Sequence, residues 1–420
     1  MNNKLTDRDD LFSKHSRRGN QRLFARKYDE AIEEYSRAIE LKPDYAPIYS
    51  IRGYAYRIKG DFESAIKDYN KLIQLRPDNA DAYCGRGIAY SKKSEFARAL
   101  QDFRKAIEIK PNFADAYNGR GLTYHQMNQV DQALQDFDKA IELRPDFAKA
   151  YNNRSSVYKD KGDIDKALED TSKAIEFQPN LAYAYNNRGN AYVMKGITSL
   201  AIKDFNKAIR LNPELAEAYC NRGVAYENSG ELECAIQDYT KAIELQPDYA
   251  VAYNNRGVVQ KKKDEIDLAI KDFDAAIQIK SDFAHAYSGR GYAYYAKGEF
   301  DRAIVDYNKA IELKPNFAEA YNNRGLVYLV EGELELAIDD MDKAIESNPD
   351  YAEAYYNRGV VWSRLQQWEN ARLDLKVANI IGKNSINAFH HINRNIVNLE
   401  GSPDVNPPED IAALLTPSQA

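Results

Sequence analysis

Small and aromatic residues recur along this chain in two staggered stripes, and both stripes return every 34 residues. Within one copy, positions 4, 8 and 11 carry an aromatic, a small residue and another aromatic, three or four apart and therefore on one helical face. Positions 20, 24 and 27 repeat the relation with alanine, usually an aromatic, and alanine again, with Leu72 the exception. Each copy thus predicts two helices. A fixed period of this length marks a stacked array, in which one helix pair cannot bury its own apolar face and depends on its neighbours.

Eleven copies begin at residues 12, 46, 80, 114, 148, 182, 216, 250, 284, 318 and 352. Position 4 is tyrosine from Tyr49 to Tyr355, with His15 in the first copy. Position 8 is glycine except at Ser155, and position 20 is alanine throughout, from Ala31 to Ala371. The tyrosines at 4 and 11 are expected to be the knobs. The glycine at position 8 and the alanines at 20 and 27 are then the gaps that let helix axes approach to about 8 to 10 Å. Gly60, Gly162, Gly196, Gly230, Gly298 and Gly332 predict first helices that end in a left-handed residue. Proline closes each copy from Pro43 to Pro349, with Ser281 in its place once. The Asp or Asn that follows, such as Asp44, Asn112 or Asp248, is expected to cap the next helix. Copy eight departs at three such signals, Gln260, Asp264 and Ser281, and is expected to open first.

These residues resemble the tetratricopeptide repeat (TPR) family over about nine tenths of the chain. The resemblance implies an all-α fold, a right-handed superhelical α-solenoid of antiparallel helix pairs. The organisation expected is a flexible N-terminus over 1–11, eleven units over 12–385, a capping helix over 386–399 and a Pro-containing tail over 400–420. Ile386, Phe389 and Ile392 support that cap, and Ile411, Leu414 and Leu415 are available to dock locally.

Position 7, usually leucine in that family, is arginine in every copy, from Arg18 to Arg358. Sixteen residues later stands an acid, Glu34 first and then Asp68 through Asp374. The spacing predicts an arginine on the first helix reaching a carboxylate on the second, its stem packed on tyrosine. With an acid supplied in every copy, the row offers a ligand little positive potential and reads as structural.

A second row is the binding candidate. Position 6 carries Asn153, Asn187, Asn221, Asn255, Asn323 and Asn357, often after another asparagine, and is interrupted at Ile51, Gly85, Gly119 and Gly289. In TPR arrays this position lies on the concave groove, and the run resembles the asparagine ladder of the O-GlcNAc transferase superhelix. An amide both donates and accepts, so such a row holds the backbone of an extended peptide without reading its side chains. The structural alternative is asparagine exposed on a helix or bonded within its own turn. Specificity is expected from positions 2, 9, 12 and 13, which turn apolar and aromatic toward the C-terminus at Tyr292, Tyr295, Leu326, Leu329, Val330 and Val360. Tyr292, Tyr295 and Leu329 join the asparagines as expected peptide-binding residues. No three consecutive copies supply the charged set with which some TPR domains clamp a C-terminal carboxylate.

Composition narrows the partners. Lys and Arg number 58 against 64 Asp and Glu, a net charge of -6, and no basic run is available to neutralise a phosphate backbone. Nucleic acid is not an expected partner. No apolar stretch approaches the roughly eighteen residues that span a bilayer, and MNNKLTDRDD lacks the apolar core of a secretory signal. A cytoplasmic protein with no membrane partner is expected. Cys84, Cys220 and Cys234 lack metal-ligand spacing and suit small buried or half-buried positions; no metal or cofactor is expected. No nucleophile with its base, carboxylate pair or phosphate loop stands outside the repeat, and almost no chain remains for a catalytic domain. The expected function is a non-catalytic protein–protein interaction scaffold binding an extended peptide or protein segment in the concave groove. The alternative is a regulatory sensor whose groove binds a small peptide or ligand and changes the superhelix.

Overall fold

A computed structural model of the chain describes residues 2–382 and 408–415. The expected helix over 386–399 and most of the 400–420 tail lie outside the described residues. Helices occur in antiparallel pairs, and the chain divides into two compact units, residues 1–213 and 214–420.

The first unit holds six pairs: α1 (Asn2–Phe24) and α2 (Tyr28–Leu41), α3 (Ala46–Lys59) and α4 (Phe62–Leu75), α5 (Ala80–Lys92) and α6 (Phe96–Ile109), α7 (Ala114–Gln126) and α8 (Val130–Leu143), α9 (Ala148–Asp160) and α10 (Ile164–Phe177), α11 (Ala182–Met194) and α12 (Thr198–Leu211). The second unit holds α13 (Ala216–Asn228) and α14 (Leu232–Leu245), α15 (Ala250–Lys262) and α16 (Ile266–Ile279), α17 (Ala284–Ala296) and α18 (Phe300–Leu313), α19 (Ala318–Glu331) and α20 (Leu334–Ser347), α21 (Ala352–Arg364) and α22 (Trp368–Ile381), then the short α23 (Glu409–Leu415). Within each unit every second helix packs on the first helix of the next pair. Successive first helices also touch, α5 with α7 and α17 with α19 among them.

The knob is the residue at position 24, not the expected tyrosines: an aromatic in most copies, and Thr171, Met341 and Leu375 in the others. Tyr35, Phe103, Phe137, Phe205, Tyr239, Phe273 and Tyr307 are fully buried. Each inserts beside the glycine at position 8 of its own copy: a Cβ on Gly121 would stand 3.0 Å from the Phe137 ring. Where position 6 is glycine, the ring of the preceding copy presses there as well, and a Cβ on Gly119 would lie 2.6 Å from Phe103. We therefore expect Gly119→Ala to lower stability by roughly 1 kcal/mol, because overpacking at about 2 kcal/mol outweighs about 1 gained in helix propensity. Urea melts of the two proteins decide this. An unchanged or raised midpoint would show that the Phe103 ring yields freely.

The tyrosines at 4 and 11 instead flank the arginine row. In ten copies, from Arg52 with Asp68 to Arg358 with Asp374, the guanidinium binds its aspartate through Nε and Nη2 at 2.6 to 2.9 Å. The Arg290 guanidinium carbon stands 5.6 and 5.9 Å from the Tyr287 and Tyr294 ring centres. The first copy differs, since Glu34 takes His15 Nδ1 at 2.6 Å. The third guanidinium nitrogen was not foreseen from sequence. Nη1 reaches position 25 of the preceding copy: Ser36 for Arg52, Asn70 for Arg86, Asp138 for Arg154, Thr240 for Arg256 and Asp274 for Arg290. One side chain thus ties its own helix pair and the pair before it.

First helices end as expected, with the six glycines at φ between 73° and 92°. Copies lacking glycine there place Arg26, Ser94, Asn128, Asp264 and Gln366 at φ of 57° to 62°. The expected aspartate N-caps are not formed. The helix starts one residue later, behind Tyr45, Phe113, Leu215 or Phe317, with no side-chain cap. Asn79 is the exception, accepting from the Ala82 N–H at 2.8 Å. The Pro-Asp or Pro-Asn pair instead occupies the middle of a turn closed by a bond such as Phe113 N–H to Lys110 O at 3.1 Å, around Pro111 and Asn112, where proline's fixed φ is an asset. The apolar residue that follows is buried, as at Phe113, Phe147, Leu215 and Phe317.

Both ends carry additions. Residues 2–11, expected to be flexible, continue α1 without a proline or glycine to stop it, and Asp9 pairs with Lys42 at 2.8 Å. In the tail, α23 buries Ile411 and Leu415 among Leu375 and Val361, and Asp410 binds Arg372 at 2.6 Å.

Candidate functional site

The asparagine row proves to be a chain of bonds between copies. Asn153 Nδ2 donates to Asn118 Oδ1 at 3.0 Å, Asn187 Nδ2 to Asn152 Oδ1 at 3.0 Å, and Asn357 Nδ2 to Asn322 Oδ1 at 2.9 Å. Position 6 of one copy thus donates to position 5 of the copy before. Asn255 keeps the geometry with a thiol as acceptor, Nδ2 lying 4.0 Å from Cys220 Sγ. Cys84 and Cys220 are buried, which pushes their thiols up to about 12 and about 11, and Cys234 is half-buried. Asn153, Asn187, Asn221 and Asn255 are half-buried, whereas Asn357 is 1% exposed.

A cavity of about 540 Å³ opens in the second unit, lined by residues of four consecutive copies. Positions 2, 6 and 9 follow one another by three or four residues, so they form one stripe of the first helix. Glu319, Asn323 and Leu326 supply that stripe on α19, and Tyr292 and Tyr295 stand at positions 9 and 12 of α17. Lys261 and Lys262 come from the end of α15, and Glu353 with Tyr351 from the start of α21. The Tyr307 hydroxyl reaches it from α18.

Its electrostatics are uneven. Lys261 Nζ lies 4.3 Å from the Tyr292 ring centre and has no ion-pair partner among the described residues, while Lys262 is engaged by Glu227 at 2.7 Å. Burial pushes the Lys261 ammonium below its ordinary value. Burial first, then the charge of Glu319, pushes the Glu353 carboxyl above the usual carboxylate range. Asn322 Nδ2 donates to Glu353 Oε1 at 3.4 Å, so the asparagine chain from Asn357 ends on this carboxylate. Burial lifts the Tyr295 hydroxyl to about 12. The Tyr307 hydroxyl is wholly buried and has no hydrogen-bond partner among the described residues.

Of the residues expected from sequence, Asn323, Tyr292 and Tyr295 meet in this cavity. Leu329 does not: it is fully buried with Met341, Tyr356 and Val360, because in this copy position 12 turns into the interface with the next pair. The other asparagines lie along the row and not at the cavity. Lys261, Glu319, Glu353, Tyr307 and Tyr351 were not singled out. Occupying positions 2 and 12 was the available signal for the lysine and the two glutamates.

Tetratricopeptide repeat profiles match residues 80–113, 114–147, 182–215, 216–249 and 318–351, and again 137–169 and 238–271; a TPR repeat profile matches 25–56, 53–94, 155–196, 262–298 and 291–330. Together they run unbroken from residue 25 to 351. The chain belongs to the tetratricopeptide repeat family. Among solved structures, the TPR array resembles the APC/C hetero-tetramer Cut9–Hcn1 with a TM-score of 0.54, at 16% identity over 92% of this chain and 96% of that one. MamA is 32% identical over 39% of this chain and 96% of its own, with a TM-score of 0.35. YrrB, described as a TPR protein with an unusual peptide-binding site, is 28% identical over 44% and 96%, also at 0.35. No curated protein matches the chain in sequence. No TPR helix among the described residues is long and apolar enough to cross a membrane.

Proposed function

We propose that this TPR protein is a non-catalytic interaction scaffold that holds a peptide or protein segment against the first-helix face of its last four copies, with the cavity as anchor. The TPR fold is that of protein–protein interaction scaffolds. The observation that carries the finer reading is the cavity itself: its volume lies within the usual few hundred to 1,000 Å³ of ligand sites, and tyrosine and leucine walls surround a few converging polar groups. Asn153 and Asn187 enter this reading as ties between copies, since Asn153 Nδ2 already donates to Asn118 and Asn187 Nδ2 to both Asn152 and Ser156. The second amide hydrogen of Asn153 and both carbonyl oxygens remain chemically able to meet a peptide backbone.

The experiment compares two variants for retention of a partner captured from lysate by the full chain. Tyr292→Ala with Asn323→Ala is expected to lose the partner at unchanged helicity. Asn153→Ala with Asn187→Ala is expected to keep it and to melt earlier, each lost bond costing about 0.5 to 1.5 kcal/mol against a smaller gain in helix propensity. Equal retention by the cavity variant would refute the reading.

A further inference from the structure

The charges around the cavity do not cancel. Glu319 and Glu353 have no ion-pair partner among the described residues, Lys262 is already bound to Glu227, and Lys261 alone answers the two carboxylates. The carboxylates are joined by the Tyr307 oxygen, a polar atom on a side chain with no exposed surface that receives no hydrogen bond and lines this space. An anion here would meet two like charges at once. A cation would find two carboxylates, a hydroxyl oxygen and two ring faces, one of which the Lys261 ammonium already uses at 4.3 Å.

We propose that the cavity receives the cationic side chain of an arginine or lysine in the bound segment, seated between the Glu319 and Glu353 carboxylates and the rings of Tyr292 and Tyr295. The proposal rests on the reading that a peptide occupies this cavity. Guanidinium is the better fit, since its five N–H donors can serve both carboxylates and the Tyr307 oxygen together. Asn322, fixed by Asn357, holds Glu353 toward the site. Lys261 then acts as the competing charge that a bound cation must displace from the Tyr292 ring or tolerate.

The test is selection of a random-sequence peptide display library on the full chain, with Tyr292→Ala as counter-selection. Peptides that depend on the cavity are expected to share one arginine or lysine. Replacing that arginine by citrulline, equal in shape and uncharged, should weaken binding about 10- to 100-fold, the range for hydrogen bonds to charged groups. On the double variant Glu319→Gln, Glu353→Gln the same replacement should change little. Lys261→Met should strengthen the arginine peptide several-fold, a gain that loss of structure cannot mimic. Cavity-dependent peptides without a shared basic residue, or indifferent to citrulline, overturn the proposal and leave the peptide-binding reading standing. If Tyr292→Ala recovers the same peptides with the same affinity, or nothing is enriched against it, that reading falls with the proposal.

Discussion

Asp170→Ala is expected to destabilise the first unit by about 3 kcal/mol or more, the lower end of what breaking a buried ion pair costs. Asp170 is 2% exposed and accepts from Arg154 Nε at 2.8 Å and Nη2 at 2.7 Å. Without it the guanidinium keeps only Asp138 at Nη1 and stays between Tyr151 and Tyr158 with two donors unmatched. Arginine cannot shed its proton to escape. The reverse variant, Arg154→Ala, should cost a similar amount at pH 7 and less at low pH. Burial pushes the Asp170 carboxyl up and Arg154 is the main group opposing it, so deleting the arginine lets burial raise it further. A carboxyl whose folded pKa is raised binds its proton more tightly folded than unfolded, so Arg154→Ala gains relative stability as pH falls through that range. Asp170→Ala gains nothing comparable. Urea melts of both single variants and the double variant at pH 7 and pH 5 provide the cycle. Additive effects at pH 7, or equal recovery of both singles at pH 5, would refute the pairing as an energetic unit.

Amide hydrogen exchange is expected to be faster across residues 250–283 than across 216–249 or 284–317. Three defects coincide in this copy. Asp264 holds φ at 62° where six other copies use glycine, at a cost of about 1 kcal/mol. Gln260 is buried at the position where tyrosine flanks the arginine, its Oε1 has no partner, and Arg256 meets the single ring of Tyr253. A buried unsatisfied oxygen costs about 1 to 3 kcal/mol. Ser281 takes the proline place in a turn that still closes through Phe283 N–H to Lys280 O at 3.2 Å, so proline there should add about 0.4 to 1 kcal/mol by restricting the unfolded chain. Repairing all three with Gln260→Tyr, Asp264→Gly and Ser281→Pro should slow local opening by roughly two powers of ten, equivalent to about 3 kcal/mol. Each copy contacts only its neighbours, so the change should stay local. Protection in the natural protein equal to that of its neighbours, or unaltered by the repair, would refute this account.

The period alone determined the two-helix unit, the family and the pairing of each arginine with the acid sixteen residues on. Those relations hold within one copy and are restated in every other, so chance agreement is averaged away. The left-handed helix ends were legible for the same reason: a backbone requirement selects a residue type locally, as at Gly60 and Gly332. What lay between copies was decided by tertiary structure. The third arginine nitrogen bonds position 25 of the preceding copy, the asparagine amides bond position 5 there, and the knob is the aromatic at 24 because glycine at position 8 leaves a gap of the ring's size. Leu329 shows the limit most directly, since its position number is that of the cavity residue Tyr295 and yet it is fully buried. Lys261, Glu319, Tyr307 and Glu353 come from three helix pairs and the start of a fourth, and share one cavity only because of how those pairs stack. A sequence period fixes what each copy presents. The rotation and approach of one packed pair against the next fix what several copies present together.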